Sequence, residues 1–418
     1  MTKHEELNII KQIIYIYLSI PSLDILGLKE ADTFVKDKAS KKLRDVYLST
    51  SRMGKQIIQK EKLNHKIWLI ISSVNNKNTL AFLEKGLGNT VCISTNASPI
   101  NNPLKNYSSL SFHKKYLKNI TFKNLIETLK KNFDPQRIDF IKSKIWESFY
   151  LFENALDILK SGNPKALVFS NDHNLKNRAL LLAAKHLNIP TVYIQHAAVT
   201  KYFPPLNFDL NLLEGQDTLD KYLACGPIEG KVALIGMTKL DEFHKKRTFK
   251  KTIEHVGICA NILDNKDRLM ELITLLHAQL PNLKISFRPH PRDSRTFDLG
   301  KKISFSDARK TPIFEFLNSV DLIIASNTSS HLEACLLNIP SIYYKFSEDL
   351  IHDYYGFVKN NLIPYAESDQ ELVNLIQDWL INRPMVFEKA KYYNHLVGSP
   401  MEGQSKKAAI QEIKNLLN

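Results

Sequence analysis

Between residues 66 and 346 the chain alternates short apolar runs with stretches of helical period. The first apolar runs are 67-IWLIISS-73, 91-VCIST-95, 166-ALVFS-170, 191-TVYIQ-195 and 231-KVALIG-236. Each is too short for a helix and nearly continuous in apolar residues, as a strand covered on both faces of a parallel sheet must be. Helical period fills the gaps, most clearly in 136-QRIDFIKSKIWESFYLFENALDILKS-161 and 174-NLKNRALLLAAKHL-187. The basic segment 243-FHKKRTFKKTIEH-255 lacks an apolar period and reads as a linker. The alternation then restarts with 256-VGICA-260, a helix near 265–279, 283-LKISF-287 and 302-KISFS-306. It continues with a short helix near 311–318, the run 321-DLIIAS-326, a helix near 329–337 and 341-SIYYKF-346. Two more helical stretches, 369-DQELVNLIQDWLI-381 and 404-QSKKAAIQEIKNLL-417, close the pattern.

Strands alternating with helices predict βαβ units and parallel sheets. Two such series joined by a linker predict an α/β protein of two Rossmann-like domains, 1–242 and 256–384, with 243–255 between them and terminal helices over 385–418. The length of 418 residues agrees, at about 100–200 residues per domain. The early run 7-LNIIKQIIYIYLSI-20 contains Lys11 and stops at Pro21. A bilayer span needs about 20 apolar residues, so this run reads as a buried helix.

The formal net charge of +14 argues for anionic company: nucleotides, nucleic acid, acidic sugars or anionic lipid. Lysine runs such as 34-FVKDKASKKLR-44 and 243-FHKKRTFKK-251 carry few aromatics, which argues against a nucleic-acid binder. The four cysteines, Cys92, Cys225, Cys259 and Cys335, form no CxxC pair. That spacing points away from a disulfide framework or zinc site and toward a reducing, cytoplasmic setting. Met1–Glu6 shows no signal-peptide pattern.

In open parallel sheets, ligands bind beyond the carboxyl ends of the strands. Four such ends carry chemistry. After 283-LKISF-287 comes 288-RPHPRD-293, in which Pro289 and Pro291 stiffen a turn presenting Arg288 and His290. Arginine's forked donors suit phosphate, and histidine can donate a proton to a departing one. After 321-DLIIAS-326, the hydroxyl-rich 326-SNTSSHLE-333 opens a helix. Thr328, Ser329 and Ser330 could seat phosphate there, and Glu333 could accept from ribose hydroxyls. After 166-ALVFS-170 come Asp172 and His173, and after 191-TVYIQ-195 comes His196. The first half thus offers His and Asp, suited to general-base work, and the second offers groups suited to an anionic leaving group.

This division resembles a GT-B glycosyltransferase, whose first domain binds the acceptor and whose second binds the sugar nucleotide across a cleft. His290-Pro291 is similar to the HP motif of bacterial sialyltransferases and polysialyltransferases, which contacts the CMP part of the donor. The motif also occurs in Kdo transferases of capsule assembly and in polyglycerol-phosphate transferases. Ser329-Ser330 resembles the paired hydroxyls that hold donor phosphate in those enzymes. The acidic pair followed by glycine that supplies their base is missing as such, and Asp172 and His196 are the nearest substitutes.

The resemblance implies transfer of a nonulosonic acid such as sialic acid, or of Kdo, from a CMP donor to a capsule or lipopolysaccharide hydroxyl. It assigns catalysis to His196, Asp172 and His290. Donor binding falls to Arg288, His290, Pro291, Thr328, Ser329, Ser330 and Glu333, and acceptor binding to His173 and Gln195. It implies helices over 385–418 that cross back to the first domain. With no DxD triplet in the chain, it implies no metal and no cofactor. The expected partners are the donor and a glycan or lipid-linked acceptor, with peripheral contact at the inner membrane face. A UDP-sugar 2-epimerase shares the double-Rossmann plan and is the second reading. A non-catalytic nucleotide- or glycan-binding subunit is the third.

Overall fold

The computed structural model describes residues 3–19, 63–95, 107–109, 119–201, 203–300, 302–347 and 351–418. The basic run 34–44 lies outside the described residues. The first sheet contains β1 (Ile67–Ile71), β2 (Thr90–Ser94), β3 (Tyr107–Ser109), β4 (Ala166–Phe169), β5 (Thr191–Ile194), β6 (Leu210–Leu213) and β7 (Lys231–Leu234). Its order is β3-β2-β1-β4-β5-β6-β7, every pair parallel. The second contains β8 (His255–Cys259), β9 (Lys284–Arg288), β10 (Ile303–Phe305), β11 (Leu322–Ala325), β12 (Ser341–Tyr344) and β13 (Tyr365–Ala366). Its order is β10-β9-β8-β11-β12-β13, again all parallel. The strand order reverses between β1 and β4 in one sheet and between β8 and β11 in the other. Such switch points open crevices at the carboxyl ends.

β1, β2, β4 and β5 are buried at every residue, which explains their apolar runs. β6 lacks that signature because Asp209 and Asn211 interrupt it. Asp209 and the Asn211 amide nitrogen find partners beside the sheet, while Asn211 Oδ1 is buried without one. Asp209 accepts from the Thr191 amide and hydroxyl at 2.7 Å each, and Asn211 donates to the Glu229 carbonyl at 2.8 Å.

The helical stretch 136–161 is two helices, Pro135–Phe140 and Lys142–Gly162, rather than one. Ile141, at φ −93° and ψ 8°, leaves the helical basin between them. Helix starts are capped where the sequence supplies a short polar side chain. Ser73, Asn174, Asn265 and Ser368 each accept from an amide of their own first turn.

The early apolar run forms core helices, Lys3–Ile13 and Tyr15–Ser19, with Ile10, Ile13 and Ile14 buried. Arg178 Nε and Arg137 Nε donate to the Gln12 and Tyr17 carbonyls and tie them down. Among the described residues no helix is long and apolar enough to cross a membrane.

The segment after β7 is anchored to the second domain. Arg247 Nε donates to the Leu336 carbonyl at 3.0 Å, the Thr248 amide donates to Leu337, and Arg247 pairs with Glu402. β8 begins at His255, the last residue of the segment read as linker. The helix Ser405–Leu417 packs on the first domain, where Ala409 and Ile413 join the core of β1, β2, β4, β5 and β6. Asp241 receives its first amides, Ser405 N at 3.0 Å and Lys406 N at 2.8 Å.

Candidate active-site cleft

At the carboxyl end of β4, Ser170 and Asp172 are fully buried. Asp172 Oδ2 takes an ion pair from Arg178 Nη1 at 3.0 Å, and Arg178 is itself 2% exposed. The first turn of Leu175–His186 positions Arg178 there. His173 Nδ1 lies 3.2 Å from Asp172 Oδ1 without hydrogen-bond geometry, and its ring packs on Phe203 at 4.0 Å between centroids. Burial holds the His173 imidazole below its usual pKa, with Asp172 opposing the shift. Both His173 ring nitrogens, Ser170 Oγ and Asp172 Oδ1 are buried without a hydrogen-bond partner in the protein.

One strand over, His196 leaves the end of β5. Burial, Lys239 and His173 push its pKa down to about 3, while a hydrogen bond to the Ser170 main chain works the other way. His196 Nδ1 is buried without a hydrogen-bond partner in the protein.

The Gln195 side chain is engaged within the protein. Its Nε2 donates to the Ala197 carbonyl at 3.0 Å and to Glu214 Oε2 at 3.3 Å, and its Oε1 accepts from the Glu214 amide at 2.8 Å. It orients Glu214, which follows β6. Burial pushes the Glu214 carboxyl up to about 8; Lys239 opposes the shift, and Glu333 and Asp217 add to it.

Lys239, in the short 3-10 helix Thr238–Glu242 after β7, donates to the His196 carbonyl at 2.7 Å. Glu333 belongs to the second domain. Burial raises its carboxyl, while Lys239 and Arg288 oppose the shift. The couplings among Glu214, Lys239, Glu333 and Arg288 bring strand ends of both sheets into one electrostatic neighbourhood. Two contacts across the domains hold them there: Lys221 Nζ to the Tyr355 carbonyl at 2.8 Å, and the His395 amide to the Glu214 carbonyl at 2.9 Å. A β-carbon on Gly215 would come within 2.4 Å of the Tyr393 carbonyl group, so only glycine permits this approach.

In the second domain, Arg288 ends β9 at 7% exposure. Its Nη1 donates to Ser306 Oγ at 3.0 Å and its Nη2 to the Thr311 carbonyl at 2.7 Å, over the Phe316 ring. Two of the donors assigned to phosphate are thus occupied within the protein. His290 Nδ1 accepts from the Arg292 amide at 3.1 Å, which places the ring proton on Nε2. Burial and Arg292 lower its pKa. Pro291 is exposed.

The loop after β11 is braced from beneath. Ser326 Oγ donates to buried Asp264, which also accepts from the Asn261 amide at 2.7 Å, and Asn261 Nδ2 donates to the Asn327 carbonyl. His331 Nε2 donates to the Ser326 carbonyl at 2.8 Å. Thr328 Oγ1 accepts from the Ser330 amide at 3.2 Å and lies 3.2 Å from Ser330 Oγ. The helix that follows, Ser330–Leu336, has only seven residues, and Ser329 caps it without a side-chain bond. No cluster of three or more metal-ligating side chains occurs among the described residues.

The sequence reading placed His196, Asp172, His173 and the second-domain residues at strand ends, but missed Glu214 and Lys239. Glu214 would have followed from recognising β6. Lys239 lies just beyond β7 and carried no pattern of its own.

No protein-family model matches the chain, and no curated protein matches it in sequence. Solved structures do resemble it. The UDP-GlcNAc 2-epimerase from Methanocaldococcus jannaschii is 14% identical, with 84% of this chain and 99% of that one covered, at a TM-score of 0.54. The Neisseria meningitidis UDP-GlcNAc 2-epimerase bound to UDP-GlcNAc is 12% identical, with 84% and 100% covered, at 0.54. The wall teichoic acid polymerase TagF, in a structure with CDPG, is 11% identical, with 86% and 91% covered, at 0.53. At these identities the likeness establishes the fold: two parallel-sheet α/β domains in the GT-B arrangement.

Proposed function

We propose that this chain is a glycosyltransferase that moves a sugar from a nucleotide-activated donor to a hydroxyl of a bacterial surface glycan. The observation carrying this reading is a buried His196 Nδ1 without a partner at the end of a first-domain strand, beside Lys239, which donates to the His196 carbonyl at 2.7 Å and favours the charged form of the second-domain carboxyl Glu333. A transferase needs a base on the acceptor side and a binding site for an activated leaving group on the other.

His196 is the base in this reading. Its buried Nδ1, without a partner in the protein, takes the acceptor proton. Asp172, ion-paired with Arg178, stabilises the positive charge that forms nearby and does not itself remove a proton. His173 and Phe203 offer a hydrogen-bonding edge and a flat apolar face to the acceptor. On the donor side, His290 Nε2–H and the hydroxyls of Thr328 and Ser330 meet the leaving phosphate. Glu333 takes the ribose hydroxyls, and Arg288 holds the strand end in place while contributing positive potential. Such contacts in a water-poor site are worth several kcal/mol each, about 3 for one oriented donor. A CMP-linked nonulosonic acid or Kdo is the donor class favoured by His290-Pro291.

The epimerase neighbours favour a second reading, inversion at C2 of a UDP-sugar without any acceptor. One assay separates the two. The protein is incubated with CMP-sialic acid, CMP-Kdo and UDP-GlcNAc, with and without surface-glycan acceptors. Nucleotide release that depends on acceptor is the expected result. A C2-inverted UDP-sugar formed without acceptor would overturn transfer in favour of epimerisation, and nucleotide binding without turnover would reduce the chain to a binding subunit.

A further inference from the structure

At the far end of the second sheet, away from the cleft, two segments converge on Asn338, which precedes β12. Asn338 Nδ2 donates to the Thr248 carbonyl at 2.8 Å and approaches Met385 Sδ at 3.3 Å. Its backbone carbonyl accepts from Arg383 Nη2 at 2.6 Å, and its Oδ1 accepts from the Val386 amide at 2.8 Å. The amide thereby pins the 248–251 strand approach beside the 382–387 loop. The large side chains at this junction point outward: Phe249 is 61% exposed, Met385 55%, and Ile381, at the end of Asp369–Ile381, 80%. The Phe249 ring touches that of Phe387 at 6.0 Å between centroids, so the two segments form one surface.

Exposed lysines flank Phe249 along the chain: Lys245, Lys246, Lys250 and Lys251. The acids nearby are few or engaged. Asp321 is 4% exposed and pairs with Lys250 at 3.0 Å, and Glu388 pairs with Lys391. Glu254 and Asp378 are exposed.

We infer that this surface, with Phe249, Met385 and Ile381 at its centre and lysines at its rim, docks the protein on an anionic lipid bilayer. Protein interfaces are depleted in lysine, whereas lysine beside an apolar wedge suits lipid, because its stem lies along apolar matter while its ammonium stays at the headgroups. Anionic headgroups attract each such lysine until salt screens them. Because the surface sits at the amino ends of β8, β11 and β12, docking leaves the carboxyl-end cleft unobstructed. The inference does not depend on which reaction the cleft performs.

The test is co-sedimentation of the full chain with phosphatidylcholine vesicles with and without phosphatidylglycerol, at low and high salt. Binding is expected only with phosphatidylglycerol, and it should fall about tenfold between roughly 0.05 and 0.5 M salt. The pair Phe249→Ser with Met385→Ser should weaken it about tenfold, and so should Lys245→Glu with Lys251→Glu, with melting temperatures unchanged. Equal binding to both vesicle types, or none to either, would overturn the inference, the latter leaving an acidic protein as the partner to seek. Retention of full binding by the serine pair would also overturn it, since charge attraction spread over the whole chain would then suffice.

Discussion

The two rims of the cleft are built from the same kind of strand end but differ in how their polar groups are satisfied. On the first-domain rim, Ser170 Oγ, Asp172 Oδ1, both His173 ring nitrogens and His196 Nδ1 are buried without a partner. On the second-domain rim, Arg288, Asp264, Ser326, Asn327 and His331 all make hydrogen bonds inside the protein. Leaving a buried polar group unpaired costs about 1–3 kcal/mol. A rim that carries several such groups is less stable than it could be, and it regains that energy when a ligand supplies partners. In the proposed reading the first rim is the reactive half and the second a preorganised cradle.

The largest effect that could break this contrast is on turnover. His196→Ala should lower activity by about 10²–10⁴-fold while leaving the melting temperature within a few degrees. A variant with near-normal turnover would remove the base from the first rim. Next comes Arg178→Met, which takes from the buried Asp172 carboxyl its ion pair with Arg178. Breaking a buried pair costs about 3–5 kcal/mol, which for a domain of this size lowers the melting temperature by about 10 °C. An unchanged thermal scan would mean that Asp172 is not held as described.

Smaller still, Ser326→Ala removes a hydrogen bond to the buried Asp264 carboxyl and should cost about 1.5–3 kcal/mol in denaturant unfolding. Activity should drop with it if the second rim works through rigidity. The smallest effect is a slope. The Glu214 carboxyl is raised to about 8 when folded, above its usual 4.5, so the native state holds a proton that the unfolded chain releases. Its contribution to stability is fully present below about pH 4.5 and is lost as pH rises through about 8. Glu214→Gln keeps the shape and should flatten the fall in melting temperature between pH 5 and 9; an identical slope in both proteins would refute the assignment.

Much of the fold was legible because strands buried on both faces must be apolar throughout, as 67-IWLII-71 and 166-ALVF-169 are. β6 escaped because Asp209 and Asn211 interrupt its apolar run, and their partners in neighbouring strands, Thr191 and Lys231, are invisible in a local pattern. β3 and β13, at three and two residues, are too short to show a period. The same limit governed the cleft. His196 stood out as a histidine ending a recognisable strand, whereas Glu214 was hidden with its strand. Nothing local in the sequence reveals that Arg178, in the first turn of Leu175–His186, reaches Asp172.

The central claim is that nucleotide phosphates enter between the two rims. Calorimetric titration of the protein with CMP, CDP, UDP and GDP tests it most directly. The account predicts saturable binding of a cytidine nucleotide, weakened at least tenfold, or about 1.4 kcal/mol, in His290→Ala. Absence of binding for all four nucleotides, or cytidine binding that His290→Ala leaves untouched, would contradict it.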